Sequence, residues 1–162
     1  MFVNSLSDLF HDDVPLDFVR RVFAVMGATP WRTHQVLTKH AERLEALSPL
    51  LDWPDNVWQG VSVENHDYAG RVDHLRRIGA KVKFVSAEPL LGPLPGFDMA
   101  GIDWVITGGE SGPRSRRFEP AWATGVLVQE QAAAFECWTS RSAQKFTSQP
   151  QAALKGGGLF LH

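Results

Sequence analysis

The chain has 162 residues, enough for one domain. A hydrophobic share of 44%, a charged share of 21% and a formal charge of −2 exclude a disordered chain, a coiled coil and a generally basic nucleic-acid binder. The single cysteine, Cys137, excludes an internal disulfide framework and any metal site built from several thiolates of this sequence. Since no apolar run reaches the roughly 20 residues of a membrane helix and the amino terminus lacks a basic signal region, the cytoplasm is the expected compartment.

Short apolar runs alternate with helical patterns along most of the chain. Runs rich in Val, Ile, Phe and Trp begin near positions 2, 34, 57, 82 and 104, with a weaker run at 135–138, and they predict buried strands. Apolar residues at helical spacing predict helices at about 12–26, 39–51, 65–79 and 120–134. We expect Asp12 or Asp13 to cap the first helix and Asn65 to cap the third.

This alternation predicts a parallel sheet with crossover helices. No Gly-x-Gly-x-x-Gly or Walker loop follows a strand, and polar residues end every good strand, which favours a β/α barrel over a doubly wound sheet. A closed barrel takes eight strands and about 250 residues. We therefore predict an α/β fold: a partial (β/α) barrel of about six parallel strands at residues 1–140, and an irregular tail at 141–162. Its exposed edge strands predict self-association.

Three successive predicted strands lead into a carboxylate: Glu64, Glu88 and Glu110. Lys39 ends the strand before them, and Asp8 follows the first strand. Parallel neighbours would bring these side chains to one edge of the sheet, where they can hold a cation or perform acid–base chemistry. The alternative is that each carboxylate only caps the helix that follows it and complements the helix dipole.

The string Gly108-Gly109-Glu110-Ser111 is the sharpest local motif. Its glycines let the backbone approach a ligand closely, or they serve only a tight turn. Three arginines follow at positions 114, 116 and 117, and they either grip a phosphate or carboxylate or form a solvated loop.

Five strings in chain order carry a family resemblance. They are residues 2–11 (FVNSLSDLFH), 35–39 (QVLTK), 57–64 (VWQGVSVE), 84–93 (FVSAEPLLGP) and 104–113 (WVITGGESGP). Over about residues 2–122 the chain resembles the phage Gp37/Gp68 family, which is found in phages and bacteria. That family is similar to radical S-adenosylmethionine barrels, in which three cysteines hold a [4Fe–4S] cluster whose fourth iron binds the cofactor.

The sequence departs from the family pattern in three places. The cysteine-rich segment of longer relatives is absent, His40-Ala41 stands where the family has Arg-Pro, and the late Phe-Lys-Gln-Trp-Gly string is not found after Phe135. The resemblance therefore implies an N-terminally truncated member of prophage background. Under it, S-adenosylmethionine and the [4Fe–4S] cluster belong to full-length relatives, and no cofactor is expected in this chain.

Three functions remain open at this point. The first is a truncated radical S-adenosylmethionine-like protein without cluster or radical activity. The second is a cluster-independent β/α-barrel enzyme with a strand-end carboxylate site, with or without a divalent metal. The third is a non-catalytic binding or remnant protein.

The candidate residues are shared by these readings. The catalytic candidates are Asp8, Lys39, Glu64, Glu88 and Glu110. The residues expected to contact a cofactor or small-molecule ligand are Asn4, Ser62, Ser86, Gly108, Gly109 and Ser111. Neither metal ligands, a nucleic-acid partner nor a membrane partner is predicted.

Overall fold

The computed structural model describes residues 1–3, 7–131 and 136–139, with side chains described up to residue 126. The strands are β1 (Phe2–Val3), β2 (His34–Thr38), β3 (Val57–Ser62), β4 (Val82–Ala87), β5 (Trp104–Thr107) and β6 (Glu136–Thr139). The α-helices are α1 (Leu16–Gly27), α2 (Ala41–Leu47), α3 (Arg71–Arg76) and α4 (Pro120–Gln131). Short 3₁₀ helices follow α2 at Ser48–Leu50 and precede α3 at His66–Tyr68.

The strands lie side by side in chain order, and every neighbouring pair is parallel. Right-handed crossovers that always advance in one direction place their helices on one face of the sheet. A doubly wound sheet instead reverses direction and carries helices on both faces. The order observed among the described strands advances in one direction without a reversal.

The hydrophobic core lies on one face of this sheet. Valines from four strands point to that face and pack with apolar residues of the helices. The strand residues are Val36, Val61, Val85 and Val105, and the helix residues include Val19, Phe23, Leu44, Val72, Leu75 and Val126. Phe23 makes edge-to-face contacts with Phe10 and Trp53, at centroid distances of 6.4 and 5.1 Å. Such contacts add to the area that the rings bury.

The opposite face, called the cleft face below, carries the alternate strand residues. They include Leu37, Trp58, Gly60, Ser62, Phe84, Ser86, Trp104 and Ile106. Trp58, Phe84 and Trp104 form an aromatic layer, in which the Trp104 centroid lies 5.8 Å from that of Trp58 and 5.1 Å from that of Phe84. A Cβ atom at Gly60 would come within 2.4 Å of the Phe84 ring, so glycine is required beneath this layer.

Two predicted helix caps differ from the structure. The prediction that Asp12 or Asp13 caps the first helix is wrong: α1 begins at Leu16, after Pro15, and has no side-chain cap. Pro15 is the N-cap residue, with φ −63° and an extended ψ of 143°. Asn65 does cap, but its side chain accepts a hydrogen bond from the Asp67 amide in the 3₁₀ helix, and α3 begins only at Arg71.

The prediction of a mixed α/β fold with an all-parallel sheet is confirmed. Strands β2 to β6 have four residues or more, whereas β1 has two, so the sheet proper has five strands and the predicted six is reached only by counting β1. In the part of the chain that the structure describes, β1 and β6 are edge strands that do not pair with each other, so barrel closure is not shown. The predicted tail at 141–162 lies outside the described residues.

Every helix among the described residues is too short or too polar to span a bilayer.

Candidate functional site

A cleft opens on the cleft face at the carboxyl ends of the strands, and it is called the strand-end cleft below. Its volume is about 610 Å³, which falls within the range of small-molecule sites. The polar residues of its wall are Ser7, Asp8, Thr38, Lys39, Ser62, Ser86 and Glu88. The apolar residues of its wall are Phe2, Val3, Leu37 and Ile106. Parallel strands bring these residues together because their carboxyl ends meet at one edge.

Asp8 fastens the loop after β1 to the end of β2. One carboxylate oxygen accepts hydrogen bonds from the Thr38 hydroxyl at 2.7 Å and the Phe10 amide at 3.0 Å, and the other accepts from the Lys39 amide at 2.9 Å. Hydrogen bonds to an ionised carboxylate are stronger than neutral ones. Asp8 therefore has a positioning role at the cleft wall, holding the backbone from which Lys39 projects.

Lys39 and Glu64 form an ion pair at the edge of the cleft. The Lys39 Nζ lies 2.6 Å from Glu64 Oε1, and Arg71 donates to Glu64 Oε2 at 3.0 Å. Burial alone raises the pKa of Glu64, but the hydrogen bond from Lys39 and the charges of Lys39 and Arg71 outweigh burial and hold this pKa below its usual value. Glu64 is thus a buried, ionised carboxylate held between two cations.

Ser62, Ser86 and Glu88 form the second part of the site. Ser62 and Ser86 are register partners on β3 and β4, and each residue is only 5% exposed. Neither hydroxyl has a hydrogen-bond partner among the described residues, and the Glu88 carboxylate has no ion-pair partner there. The structure therefore places two hydroxyls and a carboxylate at one cleft wall with open bonding capacity.

Glu110 is held apart from this group. Its carboxylate receives two hydrogen bonds from the Arg116 guanidinium at 3.0 Å and one from the Arg116 amide at 2.9 Å, and these bonds lower its pKa to about 2. Strand register explains the separation: Ser62 pairs with Ser86, which sets Glu64 level with Glu88, whereas Ala87 pairs with Thr107 and leaves Glu110 two positions further along. Glu110 does not line the strand-end cleft.

Among the glycines of the 108–112 string, Gly109 is explained by local packing. Gly108 donates to the Ala87 carbonyl and accepts from the Leu90 amide, and a Cβ at Gly109 would lie 3.0 Å from Phe118. Ser111 is exposed. The ligand-binding roles of these residues stay predictions. Asn4, the remaining candidate, lies outside the described residues.

A second cavity, the side cavity, lies between α2 and the segment leading into α3. It has a volume of about 450 Å³, and its lining includes Arg71, Tyr68 and His74. The Arg71 guanidinium carbon lies 4.2 Å from the centroid of the Tyr68 ring, a cation–π contact. Lys39 lines both cavities, and its ammonium group pairs with Glu64.

The role of Arg71 was missed by sequence reasoning. Besides binding Glu64, it donates to the Ser62 carbonyl at 2.8 Å and so ties the start of α3 to the end of β3. No local motif marks this residue. Within the described ranges, no group of three or more His, Cys, Asp and Glu side chains is arranged to hold a metal ion.

Fold and site together define a class: an α/β protein whose parallel strands follow chain order and carry a polar cleft at their carboxyl ends. The chain belongs to the family described as protein of unknown function (DUF5131), whose model matches residues 1–151. No curated protein and no solved structure matches the chain.

Proposed function

We propose that this chain binds a small organic molecule in the strand-end cleft and is a cluster-independent relative of the radical S-adenosylmethionine-like barrels of the phage Gp37/Gp68 family. One observation carries the proposal. The side chains of Ser62, Ser86 and Glu88 line one wall of the cleft, and neither hydroxyl has a hydrogen-bond partner among the described residues. Concave sites with a few convergent polar groups are typical of ligand pockets, so these side chains favour a small molecule that bonds to them in the cleft.

The relationship to radical S-adenosylmethionine-like barrels draws support from the winding of the sheet. Strands in chain order with functional side chains at their carboxyl ends are typical of β/α barrels in general. These features support a barrel type of architecture, and the five strings of the sequence support the particular family.

The residues of this sequence do not fit an iron–sulfur cluster. A [4Fe–4S] cluster is held by three or four cysteine thiolates, and the sequence contains one cysteine, Cys137. No step of the proposed function therefore passes through a cluster or through reductive cleavage of S-adenosylmethionine.

The proposal is tested by protein-observed NMR of the isotope-labelled chain. The ligands are a general fragment library, S-adenosylmethionine and S-adenosylhomocysteine. We expect shift changes for at least one ligand to concentrate at Leu37, Ser62, Ser86 and Glu88, because these residues surround the cleft. Changes confined to the side cavity, or no saturable changes at all, would refute the proposal.

A matched pair of variants separates cleft binding from general effects. Ser86→Val removes the hydroxyl and places two methyl groups at the cleft wall, so we expect it to abolish binding while the thermal transition remains cooperative. Ser115→Val makes the same exchange at an exposed loop position outside the cleft and is expected to leave binding unchanged. Equal binding by both variants contradicts the assignment of the site.

The second candidate function is a cluster-independent acid–base enzyme. It is favoured by two carboxylates at one end of the sheet with different surroundings: Glu64 is held ionised by Lys39 and Arg71, whereas Glu88 has no ion-pair partner among the described residues. Acid–base catalysis needs such a difference between two groups. The test is turnover of the ligands found by NMR, and the candidate is abandoned if Glu88→Gln leaves any observed turnover unchanged.

A further inference from the structure

The strand-end cleft carries unbalanced negative charge. Its charged wall residues are Asp8, Lys39 and Glu88. The Lys39 ammonium is paired with Glu64, whose oxygen lies 2.6 Å from Nζ, and Glu64 is also paired with Arg71, so these three groups together leave one positive charge. The two carboxylates of Asp8 and Glu88 outnumber that single positive charge, and neither of them forms an ion pair with a described residue. A ligand that brings a positive charge gains Coulomb energy in this partly enclosed space.

The hydroxyls of Ser62 and Ser86 indicate how the positively charged group of a ligand would be bound. Both residues are 95% buried, lie opposite each other in the register of β3 and β4, and open into the same cleft as Glu88. A hydroxyl oxygen accepts hydrogen bonds, as a carboxylate does. The wall thus offers three neighbouring acceptors whose partners are not supplied by the described part of the chain.

Three acceptors match the three N–H donors of a primary ammonium group. A metal ion is a poorer match, because the described residues provide no set of three metal-ligating side chains here. Leu37 and Ile106 line the same cleft and offer apolar surface to a carbon skeleton. We propose that the strand-end cleft binds a primary amine, with its ammonium group on Glu88, Ser62 and Ser86 and its carbon skeleton against Leu37 and Ile106. This inference rests on the proposed function.

The test uses two sets of probes with matched skeletons: benzylamine, benzyl alcohol and benzoate, and butylamine, 1-butanol and butanoate. Affinities are measured by NMR titration of the full chain at low salt. We expect each amine to bind about tenfold or more tightly than its alcohol, since an ionic hydrogen bond is lost in the alcohol. We expect the carboxylates not to bind, because they meet Asp8 and Glu88 as like charges.

Variants link the preference to the assigned residue. Glu88→Gln keeps the shape of the side chain and removes its charge, so we expect amine affinity to fall about tenfold or more and the alcohols to bind as before. The control is Asp55→Asn, which removes a carboxylate just before β3, at the other end of the strand, and is expected to leave amine affinity unchanged.

The outcomes distinguish this inference from the proposed function. Alcohols or carboxylates that bind as tightly as the amines, or amine affinity unaffected by Glu88→Gln, would overturn the amine assignment. The amine assignment is also overturned if library fragments bind in the cleft while neither amine binds there. In that case the proposed function, ligand binding in the cleft, still holds. If no probe and no fragment binds there, both proposals are wrong.

Discussion

Replacing Gly60 with alanine should destabilise the chain, because there is no room for a methyl group at this position. The added Cβ would lie 2.4 Å from two ring atoms of Phe84 and 2.7 Å from a third. An ordinary van der Waals contact is about 3.5–4.0 Å, so the ring would have to move by about 1 Å. Phe84 is fully buried and is backed by Trp104, so the movement propagates into the aromatic layer. Overpacking of this kind costs about 1–3 kcal/mol in the free energy of unfolding.

Urea denaturation followed by fluorescence measures this loss through the midpoint, with the slope as a check on two-state behaviour. The matched control is Gly70→Ala. Gly70 has a helical conformation and no atom within 4 Å of an added Cβ, so we expect a change within about 0.5 kcal/mol. Adding Phe84→Leu to Gly60→Ala should recover part of the loss beyond additivity, because the smaller side chain makes space. A Gly60→Ala midpoint equal to that of wild type would refute the packing argument.

Three further predictions concern stability and composition. Burial, the amino-terminal charge and Arg32 lower the pKa of His34, so the unfolded chain takes up a proton at this residue at a higher pH than the folded chain does. The free energy of unfolding should therefore fall as the pH drops below about 6.5, and His34→Gln should make urea midpoints less dependent on pH. An equal pH dependence in the variant and in wild type contradicts this prediction. Asp8→Ala removes three hydrogen bonds and should lower the free energy of unfolding by about 2–3 kcal/mol. A melting temperature equal to that of wild type would disprove the role of Asp8 in holding the loop after β1 against the end of β2. Anaerobic reconstitution with iron and sulfide should give no iron–sulfur absorbance, because one thiolate cannot replace several; stoichiometric cluster in a monomer would contradict this.

The order and type of the elements were predictable from the sequence because each strand is a compact apolar run. The runs beginning near 34, 57, 82 and 104 correspond to β2, β3, β4 and β5 within one or two residues at each end. Helix starts were less predictable, since they depend on contacts outside the helix. Asp12 pairs with Arg43, at 3.6 Å, instead of capping α1, which begins at Leu16.

The candidate site was predictable only in outline. Placing Lys39, Glu64 and Glu88 at the carboxyl ends of neighbouring strands follows from the βα pattern alone. The bonding of the site residues does not. Asp8 is held by Thr38 and Lys39, about 30 positions away in the sequence, and Glu110 is held by the Arg116 guanidinium, which returns to it after a turn. The two-position offset of Glu110 depends on strand register, which a single sequence does not specify.

The strand order has a consequence for how the chain folds. Each strand pairs with the strand before it in the sequence, at separations of roughly 20 to 25 residues along most of the sheet. A new strand emerging from the ribosome therefore meets a partner strand that has already been synthesised, and among the described strands no pairing waits for the far end of the chain. Since loop closure over such intervals costs little entropy, the sheet can grow by successive addition of one strand and its helix. Chains that stop part-way through synthesis would then retain an ordered sheet, with the open edge at the most recently added strand.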